Sequence, residues 1–200
     1  MSDIQLILAS TSTSRRSMLE AAGVAFTIIA PNVDEELMRD MLTGGGSDGA
    51  TVAHALAEAK AIAVSERHRD ALVLGADQIL VCGDRIFSKA LDEGEARATL
   101  LALRSEEHEL ISVAVIAQGG AVLWQRTDIA RLTMRSFSDA FLDEYLAAEL
   151  PEILGSVGCY RIEGRGAQLF SDVKGDQFSI RGLPLIAVLS ALRDLGALLP

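Results

Sequence analysis

The stretch Ser10-Thr11-Ser12-Thr13-Ser14-Arg15-Arg16 follows directly on the apolar run "LILA". A strand that turns into a helix at such a point offers unpaired backbone N–H groups and the positive end of the helix dipole. Hydroxyls add donors, and arginine adds bidentate contacts to phosphate oxygens. This chemistry suits a phosphate seat. It equally suits an ordinary Ser/Thr helix cap with arginines on the surface.

Four further groups can do chemistry. Asp77 interrupts the apolar run "LVLGADQILV". A carboxylate there must be paired, bound to a metal, or placed at a strand end facing a cleft. If the strand continues, Gln78 points to the opposite face. Lys60, within "ALAEAKAIAV", and Lys89, after "IFS", can each act as a point charge on phosphate, or be solvated surface lysines. Asp34-Glu35-Glu36 can hold a hard divalent cation through oxygen, or form a solvated acidic loop. Glu163, in "RIEGRG", stands among glycines that allow close approach of a ligand, or make a plain turn.

Several chemistries lack their residues. There is no G-x-x-x-x-G-K-[ST] phosphate loop and no G-x-S-x-G elbow. His54, His68 and His108 are scattered, without zinc spacing or a nucleophile partner. Cys82 and Cys159 are isolated, which suits a reduced, cytoplasmic chain. A formal net charge of -10 argues against a nucleic-acid or anionic-membrane surface. It leaves room for a small polyanion held by a local cluster of cations. No apolar run has the length of a membrane span, and "MSDIQ" has no basic leader, so neither a membrane nor a secretory role is expected.

The elements that must position these groups read as a mixed-sheet α/β fold. "IQLILA" (4–9) predicts a buried strand, followed by a helix from near Ser14 with Met18, Leu19 and Ala22 on one side and Gly23 at its end. "AFTIIA" (25–30) predicts a second strand, "PNVDEE" an acidic loop and "TGGGSDG" (43–49) a flexible one. Asp48 or Ser47 then caps a helix to about Arg67. Residues 71–89 predict two strands about Gly83-Asp84, and 92–103 a short helix. A long hairpin about Gly119-Gly120 is expected over 108–135, and a helix over 138–150 capped by Ser138. Residues 156–182 read as Gly-punctuated strand and loop. Pro184 opens a last helix that Gly196 closes. No linker divides the chain, so residues 1–200 are expected to form a single domain. With half its residues hydrophobic, the chain can bury one core or two lobes sharing a cleft.

In order along the chain, these motifs resemble the Maf family of nucleotide pyrophosphatases. That family opens L-A-S-x-S with one or two arginines close behind; here the run is "LASTSTSRRSML". A D-E pair follows (Asp34-Glu35), then L-A-x-x-K-A ("LAEAKA"), G-x-D-[TQ] ("GADQ"), a lysine after the hairpin (Lys89), E/Q-G-x-G ("EGRG"), G-D (175–176) and G-L-P-L ("GLPL"). The resemblance spans Leu6 to about Leu195. It implies a mixed twisted sheet flanked by helices, in two lobes around a central cleft (Maf/ITPase-like). It also implies cleavage of a nucleoside triphosphate between its α and β phosphates, with a divalent cation (Mg²⁺, Mn²⁺ or Co²⁺). On that reading Ser10, Arg15 and Arg16 hold phosphates, and Lys60 and Lys89 offset charge. Asp77 acts as general base or orients a water, and Glu35 with Asp77 holds the metal. A homodimer is implied as a possible assembly, and a nucleotide-sensing role in cell division is the alternative function.

The family divides by substrate. The branch acting on 7-methyl-GTP has a longer elbow, glutamine after the aspartate and glutamate in the late motif. Gln78 and Glu163 resemble that branch rather than the one acting on dTTP and UTP. That branch often carries an aromatic just before the Arg pair, where this chain has Ser14. Ser14, Gln78 and Glu163 are therefore the expected specificity positions, with broader activity on nucleoside triphosphates also open.

Overall fold

The computed structural model describes residues 4–199. One sheet organises them, in the order β2-β1-β3-β5-β6-β7, with β4 (Arg85–Phe87) paired to the far end of β3. Strands β2 (Thr27–Ile28), β1 (Leu6–Ala9) and β3 (Leu72–Cys82) run parallel. Strands β5 (Glu107–Gln118), β6 (Ala121–Met134) and β7 (Phe170–Lys174) continue antiparallel. The sheet is thus mixed, as the alternation of crossovers and hairpins predicts.

Period-two alternation assigns its faces. The even side chains Leu6, Leu8, Leu72 and Leu74 pack under α1 (Thr13–Ala21) and α7 (Leu185–Asp194). The odd side chains of β3 and β5 face α3 (Gly49–Ser65), where Val52, Leu56 and Ala57 meet Ile79, Ile111 and Val113. Farther along, the long strands enter another core. There Leu80, Leu110 and Leu132 pack with Leu100 and Leu103 of α4 (Glu93–Leu103) and Leu142 and Leu146 of α5 (Asp139–Glu149). Two lobes therefore share β3, β5 and β6, and the cleft lies where β3 passes from one to the other.

Two local expectations change. The second strand shortens from 25–30 to Thr27–Ile28, both exposed. The acidic loop ends in a helix, α2 (Glu35–Gly44), which begins with its last two residues. Asp34 caps it by accepting a hydrogen bond from Leu37 N at 3.0 Å, and Glu35 and Glu36 sit in its first turn, where the dipole favours negative charge. Only 45–48 remain as turn, and Asp48 caps α3 through Thr51 N at 2.8 Å. Residues 156–182 contain, besides β7, a 3-10 helix at Arg165–Leu169 and one short α-helix, α6 (Gln177–Ile180). Among the described residues, no helix is long and apolar enough to cross a membrane.

Candidate functional site

The cleft has a volume of about 890 Å³, enough for a nucleotide, and Ser10, Arg15, Glu35, Lys60, Asp77 and Lys89 all line it. Sequence separation is overcome by element packing. Asp77 has odd parity on β3 and so faces α3, while Lys60 sits on the buried side of that helix. Lys60 Nζ lies 2.7 Å from Asp77 Oδ1 and 2.7 Å from Glu35 Oε2, at the start of α2. Lys60 and Asp77 are both buried. A single ammonium thus bridges two carboxylates, one buried and one partly exposed. Asp77 Oδ2 is buried and has no hydrogen-bond partner. A buried carboxylate oxygen left in this state is an acceptor held ready for something outside the chain.

The elbow is organised around Ser10, Ser12 and Arg15. Ser12 caps α1, accepting from Arg15 N at 3.4 Å. Ser10 Oγ accepts from Ser12 N at 3.2 Å and from Arg15 Nη1 at 3.3 Å, which leaves its own O–H to donate. Arg15 is buried and donates through Nε to Gly182 O at 2.8 Å. Burial pushes its pKa down, opposed by the charges of Asp77 and Glu35, but a guanidinium keeps its proton. Arg16 departs from the expected seat. Its Nε pairs with Glu20 Oε1 at 2.7 Å on the outer face of α1, and its side chain is 56% exposed. Each residue advances a helix by about 100°, and here that step turns Arg15 into the cleft and Arg16 out of it.

Lys89 reaches solvent, yet it stands between the cleft walls and forms no ion pair among the described residues. Desolvation lowers its pKa, and the like charges of Arg15 and Lys60 lower it further, against Glu35 and Asp77. The cations are close enough to repel one another, and a polyanion relieves that repulsion.

Glu35 and Asp77 fit a divalent cation as an incomplete set. Among the described residues no group of three or more His, Cys, Asp or Glu can hold a metal ion. Two hard carboxylates, one with a free buried oxygen, match the habit of Mg²⁺ of binding one or two carboxylates and completing its shell with water and phosphate.

The three expected specificity residues are placed less uniformly. All line the cleft. Gln78, on the even face of β3, donates to Ser112 Oγ at 2.9 Å and to Ser179 O and Ile180 O, each at 3.0 Å. Ser14 Oγ donates to Arg181 O at 2.9 Å. Glu163 keeps its carboxylate toward the cleft, with Oε1 3.5 Å from Arg181 Nε. Three cleft arginines escaped the sequence reading, and one of them, Arg161, is paired with Glu149 at 2.9 Å. Arg39, on α2, has a buried Nε without a partner, and the four-residue spacing from Glu35 was its signal. Arg181 precedes "GLPL" and carried no local signal at all.

A mixed α/β fold with cations and carboxylates gathered at a strand-to-helix elbow defines a protein built to receive a phosphorylated ligand. The family described as Maf-like protein matches residues 5–195, and the chain belongs to it. A protein of Paramagnetospirillum magneticum named nucleoside triphosphate pyrophosphatase is 48% identical, over 97% of this chain and 100% of its own. One of Granulibacter bethesdensis with the same name is 47% identical, over 98% of this chain and 99% of its own. One of Mesorhizobium japonicum named 7-methyl-GTP pyrophosphatase is 46% identical, over 97% of this chain and 98% of its own.

Proposed function

We propose that the cleft hydrolyses a guanine-type nucleoside triphosphate, 7-methyl-GTP among the candidates, between its α and β phosphates. The products are the nucleoside monophosphate and pyrophosphate. At the coarser level the chain is an enzyme, a nucleoside triphosphate pyrophosphatase, as its nearly full-length similarity to proteins of that name supports. The observation that carries the mechanism is the uncommitted, buried Oδ2 of Asp77.

Asp77 Oδ2 accepts the proton of the attacking water as the bond between the α phosphorus and the bridging oxygen breaks. Lys60 holds Oδ1, which fixes the carboxylate's rotation and aims Oδ2. Ser10 O–H donates to a phosphate oxygen, and Arg15 and Lys89 offset the charge that builds on the leaving pyrophosphate. Glu35 with Asp77 would hold a divalent cation (Mg²⁺, Mn²⁺ or Co²⁺), which would supply further neutralisation of the triphosphate. Glu163 accepts from the N1–H and exocyclic amine of a guanine, a pair of donors that uracil lacks.

The test is pyrophosphate release from a panel of canonical and modified nucleoside triphosphates, with and without added Mg²⁺ or Mn²⁺. Asp77→Asn is run beside the unaltered chain. The expected result is metal-dependent release that Asp77→Asn abolishes while its circular dichroism stays unchanged. A fully active Asp77→Asn protein overturns the assignment of the base. Stoichiometric nucleotide binding without release moves the reading to a nucleotide sensor.

A further inference from the structure

Ser14 and Gln78 have their donors committed to the backbone of 179–181. Ser14 holds Arg181 O from the elbow, and Gln78 holds Ser179 O and Ile180 O from the sheet. Ser179 is tied again: its N donates to Asp176 Oδ2 at 2.9 Å, and its single hydroxyl proton is shared between Asp128 Oδ2 at 2.9 Å and Asp176 Oδ2 at 3.1 Å. Gly182, at φ +97°, turns the chain away immediately afterwards. A segment anchored this firmly presents one long polar side chain to the cleft, that of Arg181, 22% exposed.

Arg181 is not satisfied where it stands. Its Nε is buried without a hydrogen-bond partner. The Glu163 carboxylate is 3.5 Å away, within ion-pair range but beyond a good hydrogen bond. The cleft therefore holds an acceptor and a donor fork side by side, neither closed on the other. A guanine ring carries the complementary set in the same order along its edge. N1–H and the exocyclic amine are donors, O6 is an acceptor beside them, and N7 is an acceptor next to O6.

We infer that Arg181 is a specificity residue that favours a neutral guanine ring over the N7-methylated, cationic one. Methylation at N7 removes one acceptor from the guanidinium fork and sets a positive charge beside it. A site built to donate to a group discriminates strongly against an analogue that lacks it. Ser14 pushes the same way. An aromatic at this position suits a cationic base; serine instead positions a cation. Ser14 and Gln78 thus act on the base through Arg181, as positioning residues. The inference rests on the nucleotide reading above.

The experiment compares GTP with 7-methyl-GTP on the unaltered chain, Arg181→Leu and Arg181→Lys. One readout is kcat/KM for pyrophosphate release. The other is the Kd of the non-hydrolysable α,β-methylene analogues of the two nucleotides, which needs no turnover. The unaltered chain is expected to prefer the unmethylated ring. Arg181→Leu is expected to lower that preference about tenfold in both readouts. Arg181→Lys keeps the charge but loses the fork, so it weakens GTP while still rejecting the methylated ring. A preference for 7-methyl-GTP in the unaltered chain overturns the inference. So does a ratio unchanged in a folded Arg181→Leu protein; should that variant not fold, an unchanged GTP preference in Arg181→Lys does the same. Absence of turnover with an Arg181-dependent binding ratio sinks the catalytic reading and leaves this one standing.

Discussion

Lys60 and Lys89 line the same cleft in opposite settings, one buried in an ion pair and one exposed without one among the described residues. Lys60 is buried between Asp77 and Glu35 at 2.7 Å from each. Replacing it with methionine keeps most of the volume and removes the charge, which leaves Asp77 buried with no counter-ion. Breaking a buried pair in this way costs about 3 kcal/mol. Lys60→Met is therefore expected to lower both the midpoint of urea unfolding and turnover, the latter by at least about a hundredfold, since an unheld carboxylate no longer presents Oδ2. Lys89 has no ion pair to lose among the described residues, and desolvation, with the like charges of Arg15 and Lys60, already depresses its pKa. Lys89→Gln is expected to leave the unfolding midpoint within about 0.5 kcal/mol of the unaltered chain while weakening turnover. Equal stability losses in the two variants would show that Lys60 is not the counter-ion of a buried charge. Unaltered turnover in Lys89→Gln would remove that residue from the phosphate seat.

At the scale of elements, the Lys60–Asp77 contact exists because α3 lies almost on the backbone of β3. Gly75 makes this approach possible. A Cβ built there would stand 2.4 Å from Ala57 O and 2.7 Å from Ala61 N, both backbone atoms of α3 that cannot step aside. Gly75→Ala must push the helix away, and Lys60, in the same turn, moves with it. The expected outcome is a loss of stability of about 2 kcal/mol together with a loss of turnover that no cleft residue's own chemistry explains. Full activity in Gly75→Ala would mean that the helix can shift without disturbing the bridge. This coupling was only half legible in the sequence. Asp77 and Lys60 stood out as charges inside apolar runs, and alternation along β3 put Gln78 on the opposite face. What placed Lys60 against Asp77, rather than against solvent, was a missing Cβ at Gly75, which in sequence reads as any other glycine. Helix α2 hid behind its flanks. Its apolar stripe was present, Leu37, Met38, Met41 and Leu42 at helical spacing with Met38 and Leu42 packed against the α3 core, but its acidic start and glycine-rich exit read as loop. Arg15 and Arg16 were indistinguishable until the rotation of α1 sent one inward to Gly182 O and the other out to Glu20.

The molecule as a whole carries a formal charge of -10, and one group deep in its core adds a response to acid of its own. His108 lies on β5 in the core of the α4–α5 lobe, 1% exposed, with Nε2 2.8 Å from Tyr160 Oη. Its Nδ1 is buried without a partner. Burial pushes its pKa from 6.5 down to about 4. The folded state therefore stays neutral at this position where the unfolded chain already takes up a proton. Stability rises with pH wherever the unfolded state binds more protons, so this contribution is complete above pH 6.5 and is lost as the pH falls toward 4. Its full size is on the order of 3 kcal/mol, at 1.36 kcal/mol for each unit of difference. Urea unfolding of the unaltered chain and of His108→Gln isolates it. The amide keeps a partner for Tyr160 but has no proton to gain, and His54 and His68 are common to both proteins and cancel. At neutral pH the unaltered chain is expected to be the more stable, since Gln packs poorly among Tyr160 and Phe170. That advantage must shrink steadily on acidification. A difference that holds constant between pH 7 and pH 4.5 would mean that His108 reaches water before the fold opens. Tyr160 also lines the cleft, so a His108 that charges within the folded state would disturb the cleft wall and lower turnover in acid without unfolding the chain. Turnover that instead falls only as the protein unfolds places the cost of acid in the lobe's core rather than in the site.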